Sequence, residues 1–164
     1  MSTLLEKTDK HINIGISDEQ RDEIATALGN LLADTYMLYL KTHNYHWNVT
    51  GMNFQSLHEM FEEQYTELAE AIDVIAEQIR SIGHFAPGSF VEFTKMTTIT
   101  EEEEVPDDKT MVKRLQEANE AVILTARKAL PACEEAGDEA SLDLVTERIR
   151  NHSKVAWMLR SHLQ

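Results

Sequence analysis

The sequence predicts an all-α protein built as a four-helix bundle, and three features support this prediction. Only six of the 164 residues are glycine and three are proline, so few positions can break a helix. Apolar residues recur at intervals of three and four over long stretches, which is the spacing of one helix face. The two-residue alternation typical of a strand never extends beyond a few residues. The length fits one domain.

The first long helix is predicted by a capping motif followed by an apolar face. Ser17 and Gln20 have the spacing of a capping box, in which each side chain bonds the backbone amide of the other residue. The apolar face then continues without a break until an Asn-Val-Thr-Gly sequence, so the helix is predicted over about residues 18–47. Residues 1–16 are interpreted as a short tail, and residues 17–164 as a single domain.

The second long helix and a short helix are predicted from the positions of glycine and proline. A segment without either residue runs over about residues 53–82 and is stopped by Gly83 and then by Pro87-Gly88. A short helix over about residues 89–95 fits the connection that follows.

An acidic loop separates these helices from the last two. The run TITEEEEVPDD is predicted to be solvated and to end on Asp108 as the cap of the third long helix. That helix is predicted over about residues 109–135, with Pro131 bending or ending its last turns. The fourth is predicted to begin at about residue 138 or 139, directly after a glycine, and to reach about Leu163.

The chain is strongly acidic, with 29 Asp and Glu against 15 Lys and Arg and a formal net charge of −14. This argues against a protein that binds nucleic acid by broad phosphate neutralisation and favours attraction of cations. The composition, 42% hydrophobic and 27% charged, excludes a disordered or fibrous chain.

The single Cys133 forms no intrachain disulfide and is expected to be buried. The sequence predicts no membrane-spanning segment and no signal peptide. We expect a soluble, cytoplasmic protein.

The second helix carries four side chains that can bind metals. His58 and Glu62 are four residues apart, and so are Asp73 and Glu77. At 100° per residue all four lie within an arc of about 100°. Imidazole and carboxylate groups in this arrangement are typical metal ligands. The alternative is an ordinary solvated helix face.

The distance between the two pairs of side chains shows that one chain cannot bind a single ion with both pairs. His58 and Asp73 are separated by about 22 Å along a straight helix, whereas metal–ligand bonds are about 2.0–2.6 Å. The sequence also lacks the Glu-x-x-His motifs of an intrachain di-iron bundle. Either there is no such metal site, or an antiparallel pairing of two chains brings His58 and Glu62 to Asp73 and Glu77 of the other copy.

The first helix adds one further candidate ligand. His46 follows Tyr39 and Thr42 on one face, and a lone histidine there is more often a buried, hydrogen-bonded side chain. Together with the metal-capable face of the second helix, the ligand interpretation is favoured. The remaining candidates are interpreted as structural: His43 as a surface histidine, His84, His152 and His162 as having no obvious carboxylate partner in sequence, and Phe85, Phe90 and Phe93 as core or interface.

The segment NYHWNVTGMNFQSLHEMFEEQYTELAEAIDVIAEQIRSIGHFAPGSF resembles the signature region of the Dps family, mini-ferritins named as DNA-binding proteins from starved cells. The likeness continues into NHSKVAWMLRSHL and covers nearly all of the chain from Ser17 onward. The resemblance implies a ferritin-like four-helix subunit with a short extra helix between the second and third long helices. It also implies assembly as a hollow dodecamer in the bacterial cytoplasm.

The resemblance implies ferroxidase sites at two-fold interfaces. One subunit would supply His46, His58 and Glu62, and its neighbour Asp73 and Glu77. Position 62 is aspartate in many members of the family, and the glutamate here has a longer reach. The implied chemistry is oxidation of Fe(II), preferably by hydrogen peroxide rather than dioxygen, followed by ferric mineral storage that protects DNA and the cell from oxidative damage.

Other residues have two interpretations. Trp47 either intercepts one-electron oxidants or simply packs. Asp138, Asp143 and Glu147 lie where the family lines its three-fold pores with acids, and the alternative is acids that favour a helix start.

Two alternative functions compete with the ferroxidase. The first is a nucleoid DNA-binding protein, although the tail carries only Lys7 and Lys10 against two acids, so direct DNA binding is not expected. The second is a cage whose sites hold structural zinc without turnover, because the same ligands bind zinc well.

Overall fold

The computed structural model describes residues 5–8 and 12–164. Its helices are α1 (Asp18–Asn48), α2 (Phe54–Ser81), α3 (Phe90–Met96), α4 (Asp108–Ala136) and α5 (Glu139–His162). The four long helices form a bundle, and apart from one isolated bridge the described part of the chain contains no strand. The all-α prediction is confirmed, and each predicted helix end lies within one residue of the observed end.

The helix caps confirm one prediction and correct another. The capping box at Ser17 is present, with the hydroxyl accepting from the Gln20 amide at 3.3 Å. The cap of α4 is Asp107 rather than Asp108, because residue 107 is still extended and its carboxylate reaches the Thr110 amide at 2.9 Å.

Pro131 does not end α4. The helix continues to Ala136, and Gly137 then ends it in the left-handed conformation, with φ 66°. Pro131 and Arg127 are both exposed, so water can satisfy the carbonyl that the proline leaves without a donor.

The core is made by α1, which packs against both α2 and α4, and by the close pairing of α4 with α5. By contrast, α2 and α5 barely touch each other. Ile24, Leu31 and Phe61 are among the fully buried side chains of this core. Cys133 is also fully buried, as predicted, whereas Phe93 is buried and the neighbouring Phe85 and Phe90 are not.

The loop between α3 and α4 is less solvated than the sequence predicts. Ile99 is buried, and the Glu102 carboxylate pairs with Lys41 at 2.5 Å and with Arg114. The acidic run therefore contributes one side chain to the protein interior, because two cations on α1 and α4 are available to pair with it.

Residues 5–8 lie against the bundle. The Thr8 amide donates to the Gly83 carbonyl, and the Phe85 amide donates to the Glu6 carbonyl. Lys7 and His84 both pair with Asp22, at 3.0 and 2.8 Å. His84, for which the sequence offers no obvious carboxylate partner, therefore finds one on α1. Asp9 and Lys10, the other charges of the predicted tail, lie outside the described residues.

No helix in the described ranges has both the length and the apolar character needed to cross a membrane.

Candidate metal centre

His46 and His58 meet where α1 ends and α2 begins. The chain reverses between the helices through Gly51, whose φ of 109° is a conformation that favours glycine. The reversal places the two imidazole rings in a parallel stack, with centroids 3.8 Å apart and an interplanar angle of 19°. His46 is 8% exposed, so this pair lies at the edge of the core.

Each imidazole is oriented by the backbone of the other residue. The Nδ1 atom of His46 lies 2.8 Å from the His58 carbonyl oxygen, and Nδ1 of His58 lies 2.8 Å from the His46 carbonyl oxygen. A carbonyl oxygen only accepts hydrogen bonds, so in both rings Nδ1 carries the proton and donates it. In the neutral rings both Nε2 atoms then keep a free lone pair, which is the form that binds a metal.

The three candidate carboxylates behave differently from the histidines. Glu62, Asp73 and Glu77 are all exposed on α2, and none has a hydrogen bond or ion pair within the described residues. Because α2 is one continuous helix, Asp73 stays about 22 Å along the axis from His58. Across residues 5–8 and 12–164, no three His, Cys, Asp or Glu side chains come close enough to hold a metal ion.

Aromatic rings surround the histidine pair, and two of them escaped the sequence analysis. Tyr65 stacks on His43 at 4.1 Å and meets His46 edge-on at 5.2 Å, and Phe54 stacks on His58 at 5.1 Å. Tyr65 lies two helical turns after His58, so its i+7 spacing was the signal that would have found it.

His43 is half-buried rather than a free surface histidine. Its ring contacts both Tyr65, at 4.1 Å, and Trp47, at 4.0 Å between ring centroids. Partial burial, and secondly the neighbouring His46, lower the pKa of His43. Trp47 itself is 62% exposed, so it does not pack in the core of its own chain.

The three pore candidates separate into two environments. Asp138 caps α5 by accepting from the Ser141 amide at 3.1 Å, and it is only 5% exposed. Asp143 and Glu147 are exposed and lie one turn apart on α5. Only these last two carboxylates are free to face a pore.

Comparison with known proteins identifies the family of this chain. A family model described as a ferritin-like domain matches residues 25–164. A Bacillus anthracis protein named DNA protection during starvation protein 2 is 34% identical over 141 residues, which cover 86% of this chain and 97% of that protein. The chain belongs to the Dps family.

Further relatives extend the likeness. This Dps chain is 39% identical over 155 residues to an uncharacterised low temperature-induced protein of Nostoc, covering 93% of the chain and 87% of the relative. A crystal structure of the Dps protein of Vibrio cholerae matches with a TM-score of 0.87 and 31% identity, covering 94% of this chain and all of that one. That protein is described as one of the ferritin-like diiron-carboxylate proteins. The predicted ferritin-like fold is confirmed.

Proposed function

We propose that this Dps protein oxidises Fe(II) at sites shared between two copies of the chain and stores the ferric product. Iron is the substrate. One observation carries the proposal: α2 presents a half-buried histidine with an exposed carboxylate, and a second pair of exposed carboxylates. The two pairs are too far apart to serve one ion in one chain. Each pair therefore needs ligands from a second copy of the chain to form a complete metal site.

The register of the four residues on α2 supports a two-fold axis. If α2 pairs with α2 of a second copy in antiparallel orientation, His58 faces Glu77 and Glu62 faces Asp73. The midpoints of both pairs fall between residues 67 and 68. A single axis therefore completes two equivalent sites at once. The side chains nearest this axis on the exposed face, Thr66 and Ala69, are small enough for a close approach of the helices.

The ligand chemistry supports iron turnover. Nitrogen from His46 and His58 with oxygen from the carboxylates suits iron, and exposed carboxylates leave room for ions to enter and depart. Two Fe(II) ions would reduce one hydrogen peroxide to two hydroxide ions and become two Fe(III) ions. Both electrons arrive together in that reaction, so no hydroxyl radical is released. Hydrogen peroxide as the preferred oxidant, with dioxygen slower, is part of the proposal.

Storage requires a closed assembly with entrances. We extend the proposal to a hollow dodecamer, in which Asp143 and Glu147 line pores that attract Fe(II). The likeness to Dps structures supports the cage, and the free carboxylates on α5 support the pores. In the described part of the tail Lys7 is already paired with Asp18 and Asp22, so direct DNA binding is not part of the proposal. Protection of DNA would follow from removal of iron and peroxide.

The decisive experiment is peroxide-driven iron oxidation by metal-stripped protein. Fe(II) is added without oxygen, peroxide is added in steps, and ferric absorbance is recorded. We expect rapid oxidation that ends at two irons per peroxide, with a soluble product. His58→Ala and Asp73→Ala should lose the rapid phase while assembling normally, and Glu70→Ala, an exposed acid on the same helix, should keep it. A rate no faster than buffer alone would reject the ferroxidase and favour structural zinc.

A further inference from the structure

The seam between α2 and α5 is held by charges rather than by apolar packing. Where the two helices barely touch, a cavity of about 270 Å³ opens between them, lined by apolar side chains such as Met60 and Met158 and by several polar ones. The Glu67 carboxylate on α2 spans this seam and accepts two hydrogen bonds from Arg148 on α5, one of them at 2.9 Å. Asn151 adds a third bond at 3.1 Å. We name these three residues the Glu67 clamp.

The clamp is anchored in the protein interior. Arg148 is 5% exposed and also donates to Nε2 of His152 at 3.2 Å. His152 donates from Nδ1 to the Asn119 side chain, whose amide donates to the Leu115 carbonyl on α4. Burial, and secondly Arg148, lower the pKa of His152 to about 3, so the ring stays neutral and can accept from the guanidinium. A continuous series of hydrogen bonds thus connects α2 to α4.

Glu67 lies beside the midpoint of the two half-sites on α2. It is five residues after Glu62 and six before Asp73. We infer that the Glu67 clamp is a positioning device that sets the rotation of α2 about its own axis, and through it the geometry of both metal half-sites. This inference rests on the proposed function.

The required precision explains why such a device matters. Side-chain atoms lie about 5–6 Å from a helix axis, so a 20° rotation moves them by about 2 Å. That displacement equals the length of a metal–ligand bond, about 2.0–2.2 Å. On one side α2 packs against α1, but on the other side it faces a cavity, where apolar contacts do little to resist rotation. The bidentate pair between Glu67 and Arg148 supplies a charged directional contact on this side, near the middle of α2. Gln78, close to the end of α2, adds a single hydrogen bond to Ser141 on α5 at 2.9 Å.

The test compares three variants of the full chain. Glu67→Gln breaks the bidentate pair and leaves Arg148 buried without a carboxylate. The double variant Glu67→Gln with Arg148→Met removes the buried charge as well, which should restore much of the lost thermal stability while leaving the clamp absent. Glu63→Gln is the matched control, since Glu63 lines the same cavity and loses the same charge but forms no ion pair within the described residues.

Two readouts separate position from stability. Crystal structures of the metal-free proteins measure the rotation of α2 against α1, and anaerobic Co(II) titrations, followed by the visible bands of Co(II), measure affinity. We expect both clamp variants to show a rotated or poorly ordered α2 and at least a tenfold loss of Co(II) affinity. The double variant should show these losses although its melting temperature recovers. Glu63→Gln should match the unmutated protein.

Two results would contradict the positioning role of the Glu67 clamp. In the first, α2 has the same position in both clamp variants as in the unmutated protein. In the second, the Co(II) affinity of the double variant recovers together with its melting temperature. If the unmutated protein binds no Co(II) while the clamp variants still rotate α2, the proposed function fails. The clamp then stands as a helix-positioning device alone.

Discussion

Two groups of carboxylates in this chain have opposite surroundings. Asp34 is fully buried and accepts four hydrogen bonds, two from Thr98 and one each from Thr97 and Thr125. Glu62, Asp73 and Glu77 are exposed and have no such donors within the described residues.

The difference shows that burial decides whether a carboxylate stabilises the fold or is left to bind a ligand. A carboxylate removed from water must be compensated by neighbours in its own chain, because desolvation of the charge is costly. A carboxylate left in water needs no such donors and remains free to bind a cation. The interior acids therefore tie helices and loops together, and the exposed acids of α2 remain free to bind a cation.

Removal of the interior carboxylate should have the largest effect. Asp34→Ala leaves four donors at the α1–α4 junction without their acceptor, so we expect the free energy of unfolding to fall by about 3–5 kcal/mol. Urea denaturation measures this change. Asp73→Ala is the matched control and should change stability by less than about 0.5 kcal/mol. Equal losses in both variants would contradict the comparison.

The exposed carboxylate should show the reverse pattern in activity. Asp73→Asn keeps the shape of the side chain and removes its charge, so we expect the initial rate of iron oxidation to fall by about 100-fold, about 3 kcal/mol in activation free energy. The melting temperature should stay unchanged. Stopped-flow ferric absorbance gives the rate, and a fall of less than threefold would show that Asp73 is not a ligand.

Glu102 is another interior acid, and the stability that it contributes is expected to depend on pH. Burial alone would raise its pKa, but hydrogen bonding and charge from Lys41, with the charge of Arg114, outweigh burial and lower the pKa. The folded-state pKa is therefore below the unfolded value, so this stabilisation is complete above the ordinary glutamate pKa of about 4.3 and is lost as pH falls through the lower folded value.

We expect Glu102→Gln to lose about 1–3 kcal/mol at pH 7, because Lys41 becomes a buried cation without its carboxylate. The difference from the unmutated protein should shrink as pH falls below about 4.3. Urea denaturation between pH 3 and pH 7 checks this, and a difference independent of pH would indicate lost packing instead of lost charge.

The smallest effect is expected at the N-terminal segment. Lys7 is about one-third exposed and pairs with Asp22 at 3.0 Å, so Lys7→Ala should cost no more than about 1 kcal/mol. The loss should diminish in high salt, because screening weakens partly exposed pairs. Thermal unfolding in low and high salt measures both, and a salt-independent loss would show that the backbone hydrogen bonds of the segment depend on Lys7.

Most of the fold was predictable because its determinants are local. The three- and four-residue repeat, the Ser17 capping box and Gly137 each act within one or two helical turns. One incorrect detail was also decided locally, because Asp107 and Asp108 are adjacent residues that can both cap a helix. Pro131 lies on an exposed turn and does not end α4.

The candidate metal centre was predictable only in part. The face of α2 and its 22 Å separation follow from helical geometry alone. The reciprocal bonds between His46 and His58 do not, because they depend on how the turn at Gly51 sets one helix against the next. The spacing on α2 and the family resemblance both indicated these residues, whereas only the structure shows that Nδ1 is the donor in each ring.

By itself the sequence determined five helices, the family, and a row of metal-capable side chains that one chain cannot use alone, since these depend on spacing along the chain. Only the tertiary structure decided which charged side chains are paired within the chain and which stay exposed without a partner in the described residues. Asp22 with His84, Asp34 with Thr125, and Glu67 with Arg148 are pairs 62 to 91 residues apart. Sequence spacing predicts contacts only within a few helical turns. These distant pairs form only when packing sets the rotation of one helix against another.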